Sequence, residues 1–387
     1  MGVTRRLTGR LGCALTVVWF TTLLPSAAPA AAYTCATGPI TGQGSEAQYP
    51  VERDTFIPAH VTQCPGTAGT ISYQGTGQAA AVTSLFFRQD VFVSLDEPLT
   101  PAEWAEATTS AIDPATRESS IFYMPAFVGG MAVTYNLSSC GFTGPLNLSA
   151  QTLSLVYSGV VTHWNDPALL VDNPGLSACS LQIAPAVRDG YAWSTAVLKD
   201  YLSKANPLFD VYKRRDLNPA WPPLLHATCQ GPSEPAMAQC ATNDGAIAYM
   251  EYKAAFDAKL PMASMENGNE FFVAPAAAAT DTAPTNCTAA LGGVTFPPPF
   301  VDWSTVSLTD GSAGYPICGF SYEVTYQAPH SANPAWGTPV IFELKDHLTV
   351  TLSAAVQDQL TAVGYVELPQ SLRDAWQASV VDKIVTP

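Results

Sequence analysis

Short apolar runs alternate with segments of helical spacing along most of the chain. Val128-Gly-Gly-Met-Ala-Val-Thr-Tyr135 and Gly245-Ala-Ile-Ala-Tyr249 have the length and composition of buried strands. Residues 154–158, 195–205 and 354–363 repeat apolar side chains at the three-to-four-residue spacing of amphipathic helices. This alternation predicts an α/β architecture, with helices covering both faces of a sheet. The Ala-rich stretch 273–283 and the prolines at 297–299 read as a connecting region, and no internal repeat is visible.

The amino terminus follows another pattern. Arg5, Arg6 and Arg10 precede an apolar run at 11–24 and an Ala/Pro/Ser tract, the layout of a secretory signal peptide cleaved after Ala32. The run is too short for a membrane span, and neither Cys13 nor Cys35 has the preceding residues of a lipid-anchor site. No transmembrane candidate follows residue 32.

Composition narrows the function. The chain has 387 residues, 47% of them hydrophobic and 13% charged, enough apolar content for a packed core rather than a disordered chain. Its net charge is −15, and removal of 1–32 takes away three arginines and no acids. Without clusters of Lys and Arg it is not a general nucleic-acid binder. Cleavage also removes Cys13, leaving Cys35, Cys64, Cys140, Cys179, Cys229, Cys240, Cys287 and Cys318, an even set that favours disulfides in an exported chain. Sequence does not fix the connectivity; Cys229–Cys240 and Cys287–Cys318 are expected as neighbours. There is no Cys-x-x-Cys, and His60, His163, His226, His330 and His347 are scattered singly, so no metal site is expected. Nor does a Gly-x-Ser-x-Gly elbow or a His in a nucleophile setting point to an enzyme; Asp310-Gly-Ser-Ala-Gly314 reads as a turn.

Several fragments, in order, carry a resemblance. They are Ile40-Thr-Gly-Gln-Gly-Ser45, Tyr73-Gln-Gly-Thr-Gly77, Asp96-Glu-Pro-Leu99 and the run from Pro125 to Asn136. The longest stretch spans 157–175 and continues through Arg188-Asp-Gly190 and Asp200-Tyr-Leu202. Gly245-Ala-Ile-Ala-Tyr-Met-Glu-Tyr252, Gly364-Tyr-Val-Glu-Leu-Pro369 and Trp376 complete the series. Together they resemble the phosphate-binding proteins that serve ABC-type phosphate importers. The resemblance implies a type 2 periplasmic-binding-protein fold, with two hinged α/β lobes and the ligand in the cleft between them. The lobes are expected at 33–124 plus 290–387 and at 125–289. It further implies a secreted monomer that binds phosphate or a similar small oxyanion, partners an ABC permease and needs no cofactor.

Arg188 stands where the family has a ligand-binding arginine, whose planar fork suits an oxyanion; a structural ion pair is the other reading. Asp96 stands where a family aspartate accepts the proton of hydrogen phosphate and so rejects sulfate; the other reading is a turn residue before Pro98. The remaining donor positions depart from the family. Glu46 replaces a threonine, Gln78 a serine, and Ala192-Trp193-Ser194 a Ser-Gly-Thr segment. Ser194 and Thr195 keep hydroxyl and backbone donors, and a one-residue shift admits Ser45 or Thr76. The candidate ligand set is therefore Ser45, Thr76, Gln78, Asp96, Arg188, Ser194 and Thr195. Tyr191 and Trp193 either stack on an organic ligand at the cleft mouth or pack under a helix start. The alternative function is a divergent extracellular protein whose altered site binds another ligand or partner.

Overall fold

Two strands with no exposed residue organise the chain. In the computed structural model, which describes residues 33–109, 121–213, 219–309 and 313–387, β4 (Ile121–Tyr135) and β11 (Cys318–Tyr326) are buried along their whole length. Strands covered on both faces have no polar side, so their sequences are nearly unbroken apolar runs. The expected signal peptide with its cleavage point lies outside the described residues, as does most of the turn at 310–314.

Beside this pair lie β1 (Ile40–Gly44), β2 (Ile71–Gln74), β3 (Phe92–Leu95), β6 (Ala184–Arg188), β7 (Cys229–Gly231) and β8 (Ala246–Glu251). The eight form one sheet in the order β2-β1-β3-β11-β4-β8-β6-β7. A second, three-stranded sheet joins β5 (Asn147–Leu148), β9 (Ser264–Glu266) and β10 (Phe272–Val273). The connecting stretch expected at 273–283 thus begins on the last residue of a short strand.

Pairing along β4 changes partner partway. Ile121 to Gly130 pair with β11, whereas Met131 to Tyr135 pair with β8. Pro125 sits in this central strand although it has no N–H to donate, and the register shift beside it explains how. The strand bulges at Ala126, whose carbonyl accepts from Gln357 Nε2 at 2.9 Å. β1, β2 and β3 run parallel to one another, as do β6, β7 and β8, and the two sets run in opposite directions. Parallel neighbours need long crossovers, which the helices supply.

The helix expected at 154–158 is longer, Ala150–Tyr157, because Ser149 caps it by accepting from Thr152 N at 3.0 Å. That at 195–205 is helix Trp193–Ala205. The one at 354–363 breaks into a short helix, Ala354–Gln357, and a 3-10 turn, Leu360–Val363, ended by Gly364 at φ +96°. Trp376 packs in an aromatic cluster with Phe296 and Trp303, at ring distances of 5.3 and 5.6 Å. Among the described residues no helix is long and apolar enough to cross a membrane.

Disulfides join Cys35–Cys64, Cys140–Cys179, Cys229–Cys240 and Cys287–Cys318. The last ties β11 to the segment lying under Gly130 of β4, where an added Cβ would meet Pro284 at 2.7 Å and Cys287 Sγ at 3.1 Å. Replacing Cys287 and Cys318 together by alanine is expected to lower unfolding stability by about 2–4 kcal/mol. Denaturant titration with the other three disulfides intact checks this; an unchanged midpoint would contradict it.

Candidate functional site

Each parallel strand ends in a loop that starts a helix or supplies an acid. β1 leads through Ser45, Glu46 and Ala47 to helix Gln48–Val51, and β2 through Gly75, Thr76 and Gly77 to helix Gln78–Phe87. Gly77, at φ +82°, makes that second turn with a backbone that L side chains rarely adopt. β6 ends at Arg188 and leads to helix Trp193–Ala205; β7 leads through Ser233 to helix Glu234–Cys240. β3 is followed by Asp96, and Glu251 is the last residue of β8. These strand ends enclose a cavity of about 450 Å³, with residues from all six among its walls. Ligands of open α/β sheets gather at carboxyl ends of strands for this reason. The first N–H groups of a helix have no partner inside it, so helix starts offer donors and partial positive charge.

Arg188 is the cation of the cavity wall, and it is buried. Its Nη1 pairs with Glu234 Oε1 at 2.7 Å and its Nη2 donates to Pro232 O at 3.2 Å. Glu234 also accepts from Ser194 Oγ at 3.0 Å and from Glu251 N at 2.8 Å. Burial pushes the Glu234 carboxyl above the usual range, opposed by the charge of Arg188. Burial, with the neighbouring charge of Glu234, pushes Glu251 up to about 8. Tyr365 OH donates to Glu251 Oε2 and also lies 3.0 Å from Ala47 O, linking the two sides of the cavity. Tyr191 OH makes another such link, donating to Glu97 Oε2 at 2.8 Å.

The structure brings four of the seven sequence candidates, Thr76, Gln78, Asp96 and Arg188, to this cavity. The Gln78 side chain braces the loop after β3, accepting from Asp96 N at 2.7 Å and donating to Glu97 O at 2.8 Å. Thr76 Oγ1 donates to Gln43 Oε1 at 2.8 Å. Ser45, Ser194 and Thr195 lie outside the cavity wall. Ser45 Oγ accepts from Gln48 N at 2.9 Å, and Thr195 Oγ1 is 2.7 Å from Tyr249 OH.

Two acids that reasoning from sequence passed over, Glu234 and Glu251, share the wall with Glu46 and Asp96. Ser233-Glu234-Pro235, with Ser233 as the cap and a proline in the first turn, is a helix-start signature that marks Glu234. Trp193 is packed rather than presented at a mouth. Its indole covers Gly129 and Gly319, which face each other across β4 and β11. A Cβ at Gly129 would meet the Trp193 ring at 2.3 Å, and one at Gly319 would meet it at 3.1 Å. The indole therefore needs that glycine pair.

Comparison with known proteins agrees with this architecture. The chain is 27% identical over 221 residues to phosphate-binding protein PstS 2 of Mycobacterium tuberculosis, covering 55% of this chain and 54% of that one. It thus spans about half the length of the first curated relatives it matches. The phosphate-binding protein PstS of Methanocaldococcus jannaschii is 23% identical over 308 residues, covering 78% of this chain and 76% of that one. Among solved structures, the high-affinity periplasmic phosphate-binding protein PfluDING superposes with a TM-score of 0.61 at 19% identity, covering 88% of this chain and 93% of that one. Residues 29–340 match the PBP superfamily domain, and the chain belongs to that superfamily.

Proposed function

We propose that this protein is an exported solute receptor of the phosphate-binding class. It holds phosphate or a related small oxyanion in the cavity between two lobes and delivers it to the permease of an ABC importer. The lobes are 33–124 with 290–387, and 125–289. It works as a monomeric binding protein rather than as an enzyme. One observation carries the reading: four helix starts and a buried guanidinium meet at one cavity. Such an arrangement stabilises an anion through fixed donors, and distant surface charge is screened by salt. The phosphate-binding proteins to which the chain is similar favour the same ligand class.

The wall acids take part in this scheme. With Glu251 raised to about 8, its carboxyl carries a proton at neutral pH and donates a hydrogen bond to an oxyanion. Asp96 accepts the proton of hydrogen phosphate. Tyr191 and Tyr365 hold the two sides together around the guest. A second reading is favoured by a separate observation, the pairing of Glu234 with the arginine fork. On that reading the altered site takes another small ligand, and phosphate does not displace Glu234.

Calorimetric titration with phosphate, sulfate and a panel of small organic ligands decides between the two. Micromolar phosphate binding is expected, with sulfate weaker. Arg188→Ala is expected to weaken it at least 10–100-fold, since a hydrogen bond to a charged group is worth about 1.5–3 kcal/mol. Silence toward phosphate with binding of an organic ligand would establish the second reading instead.

The acids give a pH signature in the ligand-free protein. A carboxyl whose folded pKa lies above its unfolded value binds more protons when folded. Stability therefore falls as pH rises through the window from about 4.5 to about 8. Glu251→Gln is expected to raise the melting temperature by a few degrees at pH 8 and to flatten that fall. Melting curves from pH 5 to 9 measure it, and parallel slopes for the two proteins would refute the assignment.

A further inference from the structure

Away from the cavity, a second polar cluster is sealed inside the sheet and its helices. Helix Gln48–Val51 runs on into a single π-helical turn, Glu52–Phe56, a rare distortion often found at functional sites. That turn faces Glu323 at the middle of β11 and His347 in helix Thr338–Leu352. All three side chains are buried. We propose that Glu52, Glu323 and His347 form a binding site for one divalent transition-metal ion, of which zinc is the type.

Geometry comes first. One donor atom from each residue lies within 4.8 Å of the other two, so closing those separations by up to about an ångström brings all three to the roughly 2.0–2.2 Å of zinc ligation. The polar atoms are also unmatched. Glu52 Oε2 and both ring nitrogens of His347 have no hydrogen-bond partner among the described residues, although they are fully enclosed. Nε2 of His347 faces Glu52 Oε2 at 3.5 Å. A buried polar group left without a partner is costly, and two neighbouring carboxylates more so. No lysine or arginine pairs with either carboxylate among the described residues. A dication satisfies both charges and the imidazole lone pair together.

A fourth donor is within reach on the Gln48 side chain. The Gln48 amide nitrogen touches both carboxylates, at 3.1 Å from Glu52 Oε1 and by a short contact to Glu323, while its oxygen accepts from Ser321 Oγ at 2.6 Å. Amide oxygen and nitrogen are assigned from their surroundings. Reversing the amide turns the oxygen toward the ion and lets Ser321 Oγ accept from the nitrogen. Two carboxylates, an imidazole and an amide oxygen suit zinc or manganese rather than a thiolate-seeking metal. Because the cluster is enclosed, the ion enters during folding. It would then fix the segment after β1, where Gln48 N donates to Ser45 Oγ at 2.9 Å.

The purified protein, unfolded with its disulfides kept and stripped of metal on a chelating resin, is refolded with one equivalent of ZnCl2, with MnCl2, or with neither. After exhaustive dialysis, elemental analysis is expected to find about one ion per chain from at least one of the salts. The melting temperature is expected to stand several degrees above that of protein refolded without metal. His347→Gln should retain less than a tenth as much, and Glu52→Gln serves if that variant does not refold. Wild type that keeps neither metal and melts at one temperature in all three preparations overturns the proposal, the two carboxyls then sharing a proton. Undiminished retention in a refolded variant overturns it too, by placing the ion elsewhere.

Discussion

The cavity depends on a single strand being shared by two halves of one sheet. β3 runs parallel to β4 along its first part, and β8 runs antiparallel along its last part. Both sets of parallel strands therefore point their carboxyl ends at the middle of β4. Leu95 ends β3 level with Pro125, through Tyr322, and Glu251 ends β8 level with Met131. Six residues of strand separate these levels, about 20 Å at roughly 3.3 Å each. Opposed strand ends at that spacing leave a gap that neither half fills alone. The helix starts, Arg188 and the wall acids all reach the cavity through this arrangement.

The same arrangement explains how acids tolerate the interior. Glu234 is the first residue of a helix, where backbone N–H groups and the dipole favour negative charge, and it has Arg188 beside it. Glu251 lacks a cation of its own and sits next to a charged neighbour, so it holds its proton further up the pH scale. Both carboxyls are thus pushed up within a single hydrogen-bonded chain, Glu251 to about 8, while the charge of Arg188 opposes the rise at Glu234.

Much of the fold was legible because it rests on local signals that appear in order. The strand runs around Val128 and Gly245 and the helix at Trp193–Ala205 follow from apolar pattern, and two of the four disulfides join cysteines expected as neighbours. Arg188 was legible through the resemblance, which places a ligand-binding arginine at that position, and the structure puts it at the end of β6 on the cavity wall. Ser45 and Thr195 were harder, since a hydroxyl near a site turns toward whichever partner the tertiary fold supplies. Ser45 found the amide of its own helix, and Thr195 found a tyrosine on a distant strand. Glu52, Glu323 and His347 are far apart in sequence, so nothing in their spacing joins them. Their proximity appears only once β11 takes its place between β3 and β4.

Trp193 shows how a replacement that looks disruptive in sequence is absorbed. An indole in place of glycine at a helix start fills a ligand cavity unless the surrounding wall recedes. Here the wall recedes at Gly129 and Gly319, on the two central strands, and the ring lies over them with its bulk buried. The start of helix Trp193–Ala205 keeps its place on the cavity wall, as do Arg188 and Glu234. The indole thereby links the helix that follows Arg188 to the strands on which the two halves meet. A change that enlarged either glycine would displace the ring and disturb the two central strands and the cavity wall together. The three positions are therefore sterically coupled: the indole at 193 keeps this position only while 129 and 319 have no side chain.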